Sequence, residues 1–118
     1  MVADLARRKR VSRAVLFAAL ADETRLLLVE RLADGKALPI GALCEGSAIT
    51  RQAMSKHLRV LERAGFVRAK KLGRETRFAY QPSALDDAQT ALDAIQSRWG
   101  AALDRLQALV EADDKAKK

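Results

Sequence analysis

A mainly α fold carrying one small β-hairpin is what this 118-residue sequence predicts, and three observations predict it. Apolar residues recur at the helical spacing of three and four through residues 14–64. The period then changes to two on either side of Leu72-Gly73-Arg74-Glu75. From Leu85 to Leu109 the apolar positions fall at intervals of 3, 4, 3, 4, 3, 4 and 3, the seam that two packed helices share.

Residues 1–13 form a basic arm without an apolar period, and the folded domain is expected over 14–112. Ser12 is a natural N-cap for a first short helix in which Val15, Leu16, Ala19 and Leu20 make the buried side. Asp22 caps a second helix, Glu23 complements its positive end, and Leu26, Val29, Leu32 and Ala33 carry its apolar face as far as Gly35. Pro39 suits the first turn of a third helix, in which Ile40, Leu43 and Cys44 face inward before Gly46 stops it. Thr50 caps the fourth, which runs over 51–64 to a glycine stop at Gly65.

The period of two predicts strands at 66–72 and 76–81, with Gly73 supplying the positive φ that the turn needs. Phe78 and Tyr80 alternate with Arg77 and Ala79, so the aromatic side packs inward. Pro82 ends the ladder and Ser83 caps a last helix over 83–112. At 1.5 Å per residue a helix of about 28 residues is roughly 42 Å long, more than the preceding residues can cover. Its stripe Leu85, Ala88, Leu92, Ile95, Trp99, Ala102, Leu106 and Leu109 therefore calls for a partner. A disordered tail is expected at 113–118.

Of the residues, 49% are apolar and 31% charged, the composition of one soluble domain, and no apolar run is long enough to cross a membrane. Arg7 to Arg10 followed by an apolar stretch imitates a secretory leader, but no small-residue cleavage site precedes a mature sequence. A single cysteine excludes a disulfide framework, and a cytoplasmic location is expected. The net charge of +7 is unevenly placed. Residues 1–13 hold five Lys and Arg against one Asp, and residues 51–81 hold nine against two acids, while the segments 14–50 and 82–118 are each net negative. Such asymmetry marks a localised anion-binding surface; the alternative is a solvated basic face without a partner.

A short helix, a turn, a second helix with an outward polar face and then a basic hairpin make a winged helix-turn-helix. On helix 51–64, Met54, Leu58, Leu61 and Ala64 gather on one side and Gln52, Lys56, Arg59 and Arg63 on the other. The major groove of DNA admits such a helix, Gln bonds adenine in bidentate fashion, and Arg or Lys bonds guanine. Arg51, Gln52, Lys56 and Arg59 are thus candidate base readers, while Thr50, Ser55 and the hairpin cations Lys70, Arg74 and Arg77 suit phosphate oxygens. Double-stranded DNA is the expected partner, over the alternative of an ordinary amphipathic helix with a solvated face.

The runs Ala18-Ala19-Leu20-Ala21-Asp22-Glu23-Thr24-Arg25-Leu26, Met54 to Val67 and Gly73-Arg74 before an aromatic strand closely resemble the ArsR-type winged-helix transcriptional regulators. The resemblance spans residues 14–81 and implies a homodimer, joined through its first and last helices, that represses an operator until an effector binds. Carried over, it places Leu16, Leu92, Ile95, Trp99, Leu103 and Leu106 at the dimer interface. Metal-sensing relatives place a cysteine pair just before the third helix or histidines on the last one. Here residues 37–39 hold no cysteine and residues 82–118 no histidine, so no metal site and no cofactor is expected. The tryptophan-bearing last helix resembles a ligand-poor branch of autorepressors and regulators of neighbouring genes.

Cys44 reads as a small core residue and His57 as a structural hydrogen-bonder or phosphate neighbour. A second function class is a winged-helix interaction or dimerisation module without DNA readout, in which the seam and Trp99 carry the activity. An enzyme is not expected: one histidine, no paired nucleophile and base, and no phosphate-cradling glycine loop are present.

Overall fold

The computed structural model describes residues 11–116, so the expected basic arm lies outside the described residues except for its last three positions. The elements follow in the order α1 (Arg13–Leu20), α2 (Glu23–Ala33), β1 (Leu38–Pro39), α3 (Ile40–Cys44), α4 (Arg51–Ala64), β2 (Val67–Leu72), β3 (Glu75–Tyr80) and α5 (Pro82–Ala116). Three N-caps stand where the sequence puts them. Ser12 Oγ accepts from the Val15 N–H at 3.2 Å, Asp22 Oδ2 from Arg25 N–H at 3.0 Å and Thr50 Oγ1 from Ala53 N–H at 3.1 Å. Each satisfies a donor that the first helical turn leaves open. Gly65 closes α4 at φ 91°, and the Gly65 and Phe66 N–H groups donate back to the Glu62 and Leu61 carbonyls. A side chain at that φ would be strained.

The three strands form an antiparallel sheet in the order β1-β3-β2. Leu72 pairs with Glu75, which leaves Gly73 and Arg74 as a two-residue turn. Gly73 has φ 65° and no described non-glycine residue has a positive φ, the pattern of a type II′ turn, whose twist matches that of the flanking strands. Phe78 and Tyr80 pack against the core as expected.

The core draws on every helix of this unit. Leu16 of α1, Leu32 of α2, Leu43 of α3, Met54, Leu58 and Leu61 of α4, Phe66, Val67 of β2 and Ala84 and Ala88 of α5 are buried together. Contacts divide the chain into one unit up to Ala88 and another from Gln89 onward. In the second, Leu92, Ile95, Trp99, Leu103, Leu106 and Leu109 are all exposed.

Several expectations need correction. Pro39 stands outside the third helix: it ends strand β1, opposite Arg77, and holds the position before Ile40. It lacks an N–H, which a short edge strand tolerates. Glu75 begins β3, one residue before the expected strand, because the turn is as tight as two residues allow. Pro82 begins α5 instead of only ending the ladder, since its fixed φ suits the first helical position. That helix continues to Ala116, so residues 113–116 are helical; no Gly or Pro interrupts them, and Lys115 complements the negative end. In α2, Leu28 takes the inward place expected of Leu26, because a run of three leucines leaves the phase of the stripe open. Leu16 is 2% exposed and lies in the core of its own chain, leaving no surface for a second subunit; Val15 beside it is exposed.

Candidate nucleic-acid interface

Helix α4 presents two chemically distinct faces because its sequence separates them at helical spacing. Met54, Leu58, Leu61 and Ala64 are buried, while Arg51, Gln52, Lys56, Arg59 and Arg63 are exposed. Thr50 is exposed at its start, and its hydroxyl oxygen already accepts from Ala53 N–H, which leaves the hydroxyl proton free to be donated outward. The first turn of α4 contains no acidic residue, so the positive end of the helix dipole is uncompensated and favours an anion.

The turn before α4 is braced locally. Ser47 Oγ accepts from Ile49 N–H at 3.1 Å and the Ser47 N–H donates to the Cys44 carbonyl at 3.1 Å. Arg31 of α2 donates through Nη2 to the Ala42 carbonyl of α3 at 3.1 Å. On the other side, Glu62 of α4 accepts from the Ala69 N–H on the outer edge of β2 at 3.2 Å, tying the helix to the wing.

An open groove of about 870 Å³ lies between α4 and the hairpin, lined by Pro39, Ile40, Gly41, Arg51, Gln52, Ser55, Arg74, Glu75, Thr76 and Phe78. It brings together four of the residues singled out in the sequence: Arg51, Gln52, Ser55 and Arg74. Lys56, Arg59 and Lys70 are exposed outside it, and Ser55 is half-buried. Arg77 is half-buried, and its Nε donates to Glu75 Oε2 at 2.8 Å, so part of its charge is compensated within the wing. Pro39 to Gly41 and Thr76 were not foreseen in this wall. The pairing of β1 with β3 brings them there, and two residues are too short a strand to announce itself by alternation.

Among the described residues, no three His, Cys, Asp or Glu side chains converge to hold a metal ion. The Arg25 backbone N–H at the Asp22 carboxylate holds that carboxyl below its ordinary value of 3.8, opposed by partial desolvation and helped by the charge of the Arg25 side chain. Cys44 is half-buried against the core, in keeping with a packing role.

The fold agrees with comparisons to known proteins. A family described as a helix-turn-helix domain matches residues 20–69. The HTH-type transcriptional regulator Rv2034 of Mycobacterium tuberculosis is 36% identical over 95 residues, which cover 80% of this chain and 85% of that protein. An ArsR-like transcriptional regulator from a Rhodococcus species superposes with a TM-score of 0.73 at 31% identity, covering 82% of this chain and 91% of that one. The chain belongs to the ArsR family of transcriptional regulators. As an ArsR-family protein it is a DNA-binding regulator, and its mainly helical fold with a small antiparallel sheet is the winged helix-turn-helix of that family. A further solved relative, from Mycobacterium bovis, is titled a homodimeric winged helix-turn-helix DNA-binding domain; it is 23% identical, has a TM-score of 0.54, and covers 74% of this chain and 77% of its own. No helix among the described residues is long and apolar enough to cross a membrane.

Proposed function

We propose that this ArsR-family regulator is a homodimeric repressor that binds an inverted repeat. The observation that carries the reading is the division of α4 into a buried apolar face and an exposed cationic, hydrogen-bonding face beside a basic hairpin. In this reading α4 lies in the major groove, with Arg51, Gln52, Lys56 and Arg59 at base edges. Thr50, Ser55, Lys70, Arg74 and Arg77 hold phosphates, which set register without carrying sequence information. The exposed stripe of α5, with Leu92, Ile95, Trp99, Leu103 and Leu106, packs against its counterpart in a second copy. Two copies then offer their α4 helices to half-sites about 34 Å apart. Repression follows by occupancy of the operator, with no chemical step.

Selection of bound genomic fragments with purified protein tests the reading. Recovery of one palindrome is expected, and binding without sequence preference would refute it. If about six phosphates are neutralised per dimer, log affinity falls against log salt with a slope near −5; a flat response counts equally against it.

The exposed apolar stripe also favours a second reading, an interaction module without base readout. In that case charge reversal at Arg51, Lys56 and Arg59 would leave activity intact.

A further inference from the structure

We propose that Arg25 is a positioning residue that sets the pose of α4 through His57, an inference that rests on the reading of α4 as the helix that meets the bases. The Arg25 side chain leaves α2 and is held first by the end of α1. Its Nε donates to the Ala19 carbonyl at 2.7 Å and its Nη2 to the Ala18 carbonyl at 3.2 Å. These carbonyls belong to the last turn of α1, where the dipole is negative, and the Ala18 oxygen, which also accepts from the Ala21 N–H, uses its second lone pair here. The guanidinium plane is thereby fixed, and its remaining edge places Nη1 3.2 Å from His57 Nδ1 on α4.

A guanidinium can only donate, so the contact forms with Nδ1 as acceptor, in the tautomer that carries the ring proton on Nε2. Asp22 borders the cluster: its carboxylate caps α2 and lies 3.7 Å from the same Nδ1, beyond hydrogen-bond reach. One side chain thus joins α1, α2 and α4 at a single half-buried point.

This contact adds something that the leucine core does not. Apolar burial is non-directional, so Leu58 and Leu61 hold α4 in place while resisting small rotations about its axis only weakly. A hydrogen bond between two oriented planar groups is directional. His57 stands next in sequence to Lys56, on the outward face, and Leu58, on the inward face. Anchoring its ring therefore fixes the angle at which Arg51, Gln52 and Lys56 leave the surface. A 15° rotation moves a point about 6 Å from the helix axis by roughly 1.5 Å, enough to spoil a bidentate base contact while a phosphate contact adapts.

Discrimination is measured as the affinity for the selected palindrome divided by that for a random duplex of equal length. Asn places an acceptor near the Nδ1 position and Gln near the Nε2 position, so His57→Asn keeps the partner of Arg25 and His57→Gln removes it. We expect His57→Gln and Arg25→Lys to lower discrimination about tenfold, the effect of one weakened base contact. Random-duplex affinity and its salt slope should stay unchanged, and His57→Asn should restore discrimination. Equal behaviour of the Asn and Gln variants overturns the proposal. So does a parallel fall in both affinities that tracks a lower Tm, the signature of a merely structural residue. Arg51→Ala and Gln52→Ala separate this failure from failure of the underlying reading. If both keep full discrimination, α4 is not the base reader; if they lose it while His57→Gln keeps it, only the positioning role fails.

Discussion

Helix α4 and residues 89–116 of helix α5 are both amphipathic, yet they dispose of their apolar faces in opposite ways. In α4 the core absorbs Met54, Leu58, Leu61 and Ala64, with Leu61 at 0% exposure, and apart from Val60 what remains outside is charged or polar. In residues 89–116 the apolar face itself is outside, with Trp99 at 66% exposure. An exposed cationic face is stable in water and needs no occupant, whereas a long exposed stripe of leucine, isoleucine and tryptophan is a standing cost until it is covered. The second helix therefore calls for a matching apolar surface, whereas the first suits a polyanion without requiring one.

The largest expected effect comes from the stripe. Trp99→Asp combined with Leu106→Asp should convert a dimer to a monomer in sedimentation equilibrium and weaken binding to the selected palindrome by about 10²–10⁴-fold, the gain that joining two sites provides. A variant that stays dimeric at the same concentrations would remove the stripe from the interface. Next in size, Leu61→Ala should cost about 2–5 kcal/mol in urea unfolding, whatever the protein concentration. Leu106→Ala is expected instead to give a loss that grows on concentrating the protein, because only the dimer uses that side chain. Identical concentration dependence for the two would erase the contrast between the helices.

Within α4 and the wing the effects should be smaller and of two kinds. Gln52→Ala should cost about 1–3 kcal/mol of discrimination at one base position in each half-site. Lys70→Ala should weaken all sequences alike and make the salt dependence shallower. Arg77→Ala should do so less, because Glu75 already compensates its charge.

The smallest effect concerns Asp22. Its carboxyl is held below its ordinary value, so the stability it contributes is present above pH 3.8 and is lost as pH falls through the lowered value. The Tm advantage of the native chain over Asp22→Ala should accordingly shrink between about pH 5 and pH 2. An advantage that stayed constant over that range would mean that the charge of the cap contributes nothing.

Much of the fold was legible because capping is local chemistry. Ser12, Asp22, Thr50 and Gly65 each act within four residues, so the starts of α1, α2 and α4 and the end of α4 could be placed to the residue. The two faces of α4 were legible for the same reason, since apart from Val60 its larger apolar residues gather on the side away from Lys56, Arg59 and Arg63. The phase of α2 was less so, because Leu26-Leu27-Leu28 satisfies more than one stripe and only packing chose Leu28 and Val29.

Sequence by itself determined the order of elements, the hairpin with glycine at its turn, the separation of faces on α4 and the concentration of positive charge in 51–81. All of these depend on neighbours a few residues apart. Tertiary structure alone decided the pairing of Leu38 and Pro39 with Phe78 and Arg77, the groove they help to wall, the burial of Leu16 and the meeting of Arg25 with His57 across 32 positions. Contacts between distant residues carry no period along the chain, and they exist only once the core has brought the helices together.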